Sequence, residues 1–430
     1  MTPGRLDVSP DVAIIGAGPA GLTAAATLAG RHRRSVLVLD REEVAGGVPR
    51  HCDHTGFGIR DMHMVLSGPS YARRLVQQAR NAGADLRTQA MVTDIHGDNS
   101  LSVTTPAGLL HVTPRAVIVA TGARERPRAA RLIPGDRGAG IYTTGQLQNL
   151  VHLHHQPVGT RAVVVGSESV SWSAVLTLRE ARCSTVLMTT HYDRSESYRA
   201  FSVAGRPLLQ APVATRTRIA RIIGKPRVQA VEIEHIDTGH RRRIDCDTVI
   251  LTGDWIPDHE LLRSADIAVD PASRGPLVDT ALRTSRDGVF AIGNLCHPVD
   301  TADVAALDGH AVATRVDAYL STASTAPSQA VRLYAGPALR WIAPGVVRAG
   351  DPAPPRGRLL SWTDHRVRRP RITLCQNGRM IASRQLPWPA VPGRVFRIPA
   401  DLLDAVDYTG GDVTIDIANA ARRGKSAGAV

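Results

Sequence analysis

Lysine is nearly missing from this 430-residue chain: only Lys225 and Lys425 occur, and the other basic residues are arginine. A net charge of +13 ordinarily points to an anionic polymer as partner. Here 39 acids are interspersed with the arginines, no basic run exceeds Arg241-Arg242-Arg243, and aromatic residues make up 4%. Without a basic face or a stacking stripe, nucleic-acid binding is not expected. Cysteine is scarce as well. Cys52, Cys183, Cys246, Cys296 and Cys375 are scattered, and no two stand as Cys-x-x-Cys. That spacing excludes a zinc site, a local redox pair and an iron–sulfur cluster on four neighbouring thiolates, so no metal is expected. An odd number of thiols fits a reducing compartment. Long hydrophobic runs are absent except at residues 12–30, which carry no charge. That run holds Gly16, Gly18, Gly21, Gly30 and Pro19, and passes into Arg31-His32-Arg33-Arg34 instead of a cleavage site. It is neither a membrane span nor a signal peptide, and a soluble, cytoplasmic protein is the expectation.

What the run does contain is a strand, a glycine turn and a helix: Val12-Ala-Ile-Ile-Gly16-Ala-Gly18-Pro19-Ala20-Gly21-Leu22. A second apolar run, Val36-Leu-Val-Leu-Asp40, places a carboxylate 19 residues after Gly21. Gly16 permits the turn, Gly18 lets the backbone approach a diphosphate, and Gly21 lets the helix pack closely on the strand. The diphosphate then meets free N–H groups and the positive end of the helix dipole. The glycine pattern alone is weak evidence. With strand, helix and acid all in place, nucleotide binding is favoured over a merely glycine-rich turn.

Further along, a loop follows Gly46-Gly47, a helix is expected from about Pro69 to Ala82, and a small meander from Asp85 to Leu110. The apolar strand Ala116-Val-Ile-Val-Ala-Thr121-Gly122 stops at Thr-Gly. A second unit of nucleotide type begins at Arg161-Ala-Val-Val-Val-Gly166 and reaches Ala181. A second meander covers roughly residues 213–252, then come Gly288-Val-Phe-Ala-Ile-Gly293-Asn294 and a helix from about Asp303 to Leu320. Small polar residues from Ser321 to Ser328 suggest a boundary. Beyond it, proline-rich turns, the hairpin signal Gln376-Asn377-Gly378 and short alternating runs indicate a β-rich domain. The expected division is 1–125 and 256–327 for a first α/β domain, 126–255 for an inserted one and 328–430 for the β-rich one.

This order of motifs resembles the two-dinucleotide-binding-domain flavoproteins of pyridine nucleotide-disulfide oxidoreductase type, to which glutathione reductase and thioredoxin reductase belong. The resemblance covers about residues 10–325. Gly46-Gly-Val-Pro-Arg-His-Cys-Asp-His-Thr-Gly-Phe-Gly58 and Pro134-Gly-Asp-Arg-Gly-Ala-Gly-Ile-Tyr-Thr-Thr-Gly-Gln146 look like one branch. It holds the FAD subunits of opine and proline dehydrogenases, hydrogen cyanide synthase and heterotetrameric sarcosine oxidase. The resemblance implies an FAD-binding Rossmann-like domain with an inserted NAD(P)-type one. Gly16, Gly18, Pro19, Ala20, Gly21 and Asp40 would hold the ADP half of FAD, with Gly47 following on. Thr121 and Gly122 would pass near the cofactor, and Gly293 and Asn294 would meet its ribityl-phosphate portion. The helix after Thr301 would point its N-terminus at the flavin pyrimidine. Asn294 departs from the family's usual Asp, losing a charge but keeping an acceptor oxygen.

The second unit departs further. Gly166-Ser167-Glu168-Ser169-Val170-Ser171 keeps only the first glycine. Glu168 falls where a diphosphate would approach, and the next strand ends in Met188-Thr-Thr-His191 without a ribose-binding acid. A domain that keeps its fold without NAD(P) is the favoured reading.

For chemistry, the loop His51-Cys52-Asp53-His54 stands out. Dehydrogenating an amine or alcohol needs a base for the N–H or O–H proton while the flavin takes hydride, and histidine suits that near neutral pH. The plainer reading is that these residues hydrogen-bond the loop. Cys52 also admits a single-thiol reductase, with Arg50 nearby to lower its pKa, although a buried structural thiol is the commoner case. His297 would face the flavin from the other side, and Arg50 and Arg60 would clamp a substrate carboxylate. Three readings remain: an FAD-dependent oxidoreductase of a small amine or hydroxy compound, an NAD(P)H-dependent reductase working through Cys52, or an FAD-binding relay subunit of a heteromer. The electron acceptor would be a partner subunit, a quinone or oxygen, and a homo-oligomer is an alternative assembly.

Overall fold

The computed structural model describes residues 6–197, 211–297, 300–322 and 329–418. The chain starts as an α/β unit. Strand β1 (Val12–Ile15) is buried at all four positions, the pattern of a strand covered on both faces. Helix α1 (Pro19–Gly30) follows, with Pro19 in its first turn, where a missing N–H costs nothing. Strand β2 (Val36–Leu39) is again wholly buried. Helix α2 (Gly68–Asn81) is capped by Ser67, whose hydroxyl accepts the Ser70 N–H. Strands β3 (Asp85–Arg87) and β4 (Ala116–Val119) complete the first pass.

The chain then crosses through β5 (Ala123–Glu125) into the inserted domain. There β6 (Ile141–Thr143), α3 (Thr144–Gln148), β7 (Arg161–Val165), α4 (Ser169–Glu180), β8 (Ser184–Thr189), β9 (Val213–Ala214) and β10 (Thr248–Leu251) follow in order. It returns through β11 (Trp255–Pro257), which pairs antiparallel with β5. Strand β12 (Val289–Ala291) and helix α5 (Ala302–Ser321) finish the first domain.

Both domains carry a five-stranded parallel sheet. The first has the order β12-β4-β1-β2-β3 and the second β6-β10-β7-β8-β9. Three strands belong elsewhere than the sequence suggests. The run at Leu86 is not part of the first meander: β3 joins β2, and Leu86 packs on the apolar cluster beneath α1 and α2. Likewise Val213–Ala214 and Thr248–Leu251 belong to the second parallel sheet rather than opening and closing the second meander. The meanders themselves are Met91–Ile95, Leu101–Thr105 and Gly108–Val112 in one domain and Thr217–Ile223, Ala230–His235 and Arg241–Asp245 in the other.

The C-terminal domain is two packed antiparallel-rich sheets, five strands and three, around Leu359, Ile372, Leu374, Ile398, Val413 and Ile415. Its hairpin turns at Asn377 and Gly378, both at positive φ (51° and 74°), as the Asn-Gly signal requires. The expected boundary at Ser321–Ser328 lies mostly outside the described residues. Among the described residues no helix is long and apolar enough to cross a membrane.

Candidate active site

Three glycine turns, far apart in sequence, close around the N-terminus of α1. Gly16 has φ +108°, and an added Cβ there would lie 2.5 Å from the Ala120 carbonyl oxygen. A Cβ on Gly21 would lie 2.0 Å from the Gly16 carbonyl oxygen. Both positions admit only glycine, because the clashing atoms are backbone. Gly18 differs, since a Cβ there would meet nothing within 4 Å. No side chain caps α1, so its first-turn N–H groups and dipole face open space. Gly47 backs onto the same place, its Cβ position 2.9 Å from Gly18 Cα, and the Cβ position of Gly293 is 3.0 Å from Ala20 Cβ. The Gly46 N–H donates to the Ala17 carbonyl at 2.8 Å and locks the Gly46-Gly47 turn to the Gly16 turn. This donor set and clearance fit the diphosphate of FAD.

Asp40 braces the same turn. Its Oδ2 accepts the Ala17 N–H at 2.6 Å and its Oδ1 the Glu42 N–H at 2.8 Å. Each oxygen keeps a second lone pair for a ribose hydroxyl. Thr121 donates to the Asp258 carbonyl at 2.8 Å, and the Asp258 N–H donates to Gly122 at 2.9 Å. Thr121 and Gly122 therefore tie the crossing strands together. The Asn294 amide is committed to a reciprocal pair with the Asp300 backbone, at 3.1 and 3.0 Å, which leaves its carbonyl oxygen one lone pair. Thr301 is the N-cap residue of α5 without capping through its side chain. The buried Asp303 instead fills that helix end, held by the Arg60 N–H at 3.0 Å and the Arg60 guanidinium at 3.1 Å. The carboxylate offsets part of the helix dipole and occupies Arg60. Arg50 sits 3.6 Å from Glu42.

The loop after Gly47 carries the titratable candidates. Cys52 is buried, and its Sγ donates to Gln148 Oε1 at 3.1 Å, while Gln148 Nε2 donates to Ser173 Oγ at 2.7 Å. Burial, then the Glu125 carboxylate, pushes the thiol up to about 12. Burial likewise raises Cys183 to about 12 and Cys246 to about 11, and Cys296 well above its ordinary value. His51 is pushed down to about 4 by burial and by Arg50, and its Nδ1 has no partner. It is a neutral imidazole across the physiological range. His54 Nδ1 lies 2.9 Å from the Thr55 carbonyl oxygen. A carbonyl only accepts, so Nδ1 carries the proton and Nε2 is left as the basic nitrogen. Its ring centroid is 5.3 Å from that of Phe57.

Glu125 was not singled out by its sequence context. It is buried on β5, accepts the Gly145 N–H at 2.9 Å at the start of α3, and leaves Oε1 without a partner. Burial raises its pKa. His297 does not stand open to a cofactor: it is buried, with Nε2 2.7 Å from Asp308, which also holds Arg356 of the C-terminal domain.

The second turn is built differently from the first. Glu168 is the N-cap residue of α4, as Gly18 is for α1. Its carboxylate folds back onto Gly253, where an added Cβ would lie 1.5 Å from Oε1. Burial, then Glu196 and Glu125, raises Glu168 to about 8. Ser171 replaces the close-packing glycine and shares a hydrogen bond with Thr252 Oγ1 at 2.6 Å.

The sequence profile of the family described as pyridine nucleotide-disulphide oxidoreductase matches residues 10–309. The chain is 28% identical over 319 residues to a thioredoxin reductase of Mycolicibacterium smegmatis, covering 72% of this chain and 96% of that protein. It is 25% identical over 308 residues to a ferredoxin–NADP reductase of Leuconostoc citreum, covering 69% and 87%. Among solved structures, thioredoxin reductase from T. acidophilum superposes with a TM-score of 0.61 at 23% identity, over 72% of this chain and 98% of that one. L-proline dehydrogenase from P. horikoshii superposes with a TM-score of 0.55 at 16% identity, over 75% and 58%. These two likenesses concern the fold.

Proposed function

Because the chain belongs to the pyridine nucleotide-disulphide oxidoreductase family and is an FAD-dependent oxidoreductase, we propose that it oxidises a small amine or hydroxy compound. The observation that carries this is Glu168 at the step of the second turn where a dinucleotide would need an open backbone. The Glu168 side chain folds over that step onto Gly253, so a diphosphate would meet a side chain in place of clearance, which disfavours NADH or NADPH as electron donor. Dithiol chemistry is disfavoured too. Cys52 is buried, hydrogen-bonded to Gln148 and held protonated, and a thiol in that state is a poor nucleophile.

The His51–His54 loop remains. His54 Nε2 takes the N–H or O–H proton of the substrate, while Nδ1–H stays on Thr55 and fixes the ring. His51, uncharged and half-buried, keeps the loop from carrying a second positive charge. FAD, when bound, supplies the two-electron acceptor for the hydride. The substrate thus loses a hydride and a proton and leaves as an imine or a carbonyl compound. Electrons then leave for a partner subunit, a quinone or oxygen.

A second reading, an NAD(P)H-dependent flavin reductase, is favoured by the names of the relatives. Anaerobic mixing of the yellow protein with amines, hydroxy acids, NADH and NADPH, followed at the flavin absorbance band, separates the two. Bleaching by an amine or hydroxy acid supports the proposal. Rapid bleaching by a nicotinamide cofactor alone overturns it in favour of the second reading.

A further inference from the structure

We propose that the C-terminal domain is a resident occupant of the inserted domain's nucleotide face, clamping the segment Ser195–Ser197 over the second turn so that no dinucleotide docks there. The inference extends the reading of that turn given above: beyond an unfavourable residue in the site, the site is filled from within the chain.

The segment is strapped to the turn by four hydrogen bonds. Ser195 Oγ–H donates to the Ser167 carbonyl at 2.8 Å, and the Ser197 N–H donates to the same oxygen at 3.2 Å. Ser167 Oγ–H donates to the Glu196 carboxylate, and Trp172 Nε1–H donates to Ser197 Oγ at 3.0 Å. Glu196 and Ser197 are accordingly buried. Ser167 and Trp172 flank the start of α4, where the equivalent stretch of the first domain, around Gly18, faces open space. A helix N-terminus that would attract a phosphate here meets a peptide segment and a carboxylate of the chain itself.

The C-terminal domain holds this segment from outside. Arg394 Nε–H donates to the Glu196 carbonyl at 3.0 Å, and a second guanidinium nitrogen donates to the Ser197 carbonyl. Gly393, at φ +75°, packs so closely that an added Cβ would lie 2.4 Å from Glu196 Cβ. No larger residue fits there without displacing the segment. Nearby, the Tyr192 hydroxyl lies 3.5 Å from Asp364, which is paired with Arg340 at 2.5 Å. The same domain is anchored to the first domain by Arg332–Asp270 at 2.8 Å, Arg397–Asp300 at 2.7 Å and Arg356–Asp308. It therefore bridges both α/β domains, and the clamp on Ser195–Ser197 is the end of a strut seated elsewhere.

The full-length FAD-loaded protein tests this with ADP-ribose and NADPH as probes. Calorimetric titration is expected to detect no binding of either below about 1 mM. Amide hydrogen exchange at residues 192–197 is expected to be slow in the unsubstituted protein and at least about ten-fold faster in Arg394→Ala, with FAD content unchanged. Sub-millimolar binding of ADP-ribose by the unsubstituted protein overturns the proposal, and so does exchange at 195–197 that Arg394→Ala leaves unmoved. The titration needs no substitution, so sub-millimolar binding refutes the clamp even if Arg394→Ala fails to fold. A protein that binds ADP-ribose yet is bleached by an amine refutes the clamp and leaves the proposed reaction standing. One that binds no nucleotide, exchanges faster at 195–197 in Arg394→Ala and is bleached by no amine or hydroxy acid does the reverse.

Discussion

The Cys52 thiol donates to Gln148 Oε1 at 3.1 Å, joining the loop after Gly46-Gly47 to helix α3 of the inserted domain. The bond uses the thiol as a small buried donor, and a serine hydroxyl can make it as well. Cys52→Ser is expected to keep FAD bound and to change the rate of substrate-driven flavin reduction by less than about three-fold. Alkylation of Cys52 by iodoacetamide at pH 8 should be slow in the folded protein and fast after denaturation, because burial holds the thiol near 12. A dead Cys52→Ser beside a normal His54→Ala would return the assignment to thiol chemistry.

Gly16 and Gly18 should fail in different ways. Gly18→Val is expected to fold and to lose FAD, because its side chain would occupy the clearance in front of α1. Gly16→Ala combines φ +108° with a Cβ 2.5 Å from the Ala120 carbonyl oxygen, and should lower stability by about 2–3 kcal/mol. The visible-to-ultraviolet absorbance ratio reports the first and thermal unfolding the second. A Gly18→Val protein that is fully yellow would contradict the placement of the diphosphate.

The parallel sheets were legible at Val12–Ile15, Val36–Leu39 and Ala116–Val119, unbroken apolar runs buried throughout, whereas Thr248–Leu251, equally buried, reads from sequence as the last strand of the meander it directly follows. The strands at Asp85–Arg87 and Val213–Ala214 were misplaced for an equally physical reason: two or three residues hold no period, and only the partner strand assigns them. Gly16 and Gly21 could be read from the sequence, since close backbone, and at Gly16 a positive φ, dictates glycine there. Glu196 could not, because its role depends on Arg394, 198 residues away. Glu125 was missed in the same way: an acid on a short crossing strand carries no signal until Gly145 is folded against it.

Glu168 gives a test by pH. Its ordinary value is 4.5 and the folded protein raises it to about 8. The folded state therefore holds a proton that the unfolded chain releases near 4.5, so this group's contribution is fully present below that pH and is lost as pH rises through 8. Glu125 and Glu196 are raised as well and act in the same direction. Glu168→Gln fixes the neutral form and isolates the one group. Its melting temperature should match that of the unsubstituted protein near pH 4 and exceed it increasingly as pH rises, by several °C at pH 8. Equal melting temperatures at both pH values would mean that Glu168 is ionised in the fold.

His54 is the residue on which the proposed reaction depends most. Nδ1 is committed to the Thr55 carbonyl and Nε2 is basic, whereas His51 is held neutral with a pKa near 4 and makes a weak base. Losing a general base ordinarily slows proton removal by about 10²-fold or more. His54→Ala is therefore expected to bind FAD stoichiometrically and to slow flavin reduction by the amine or hydroxy substrate by about that factor. His51→Ala should cost less than about ten-fold and should show no change in the pH profile, since a group titrating near 4 contributes none of the rise near neutrality. Stopped-flow reduction across pH 5–9 measures both. Should His51→Ala abolish the neutral limb while His54→Ala preserves it, the base is His51, and its pKa must rise once substrate enters. If neither substitution slows reduction, the loop holds the turn together and the proton leaves by another route.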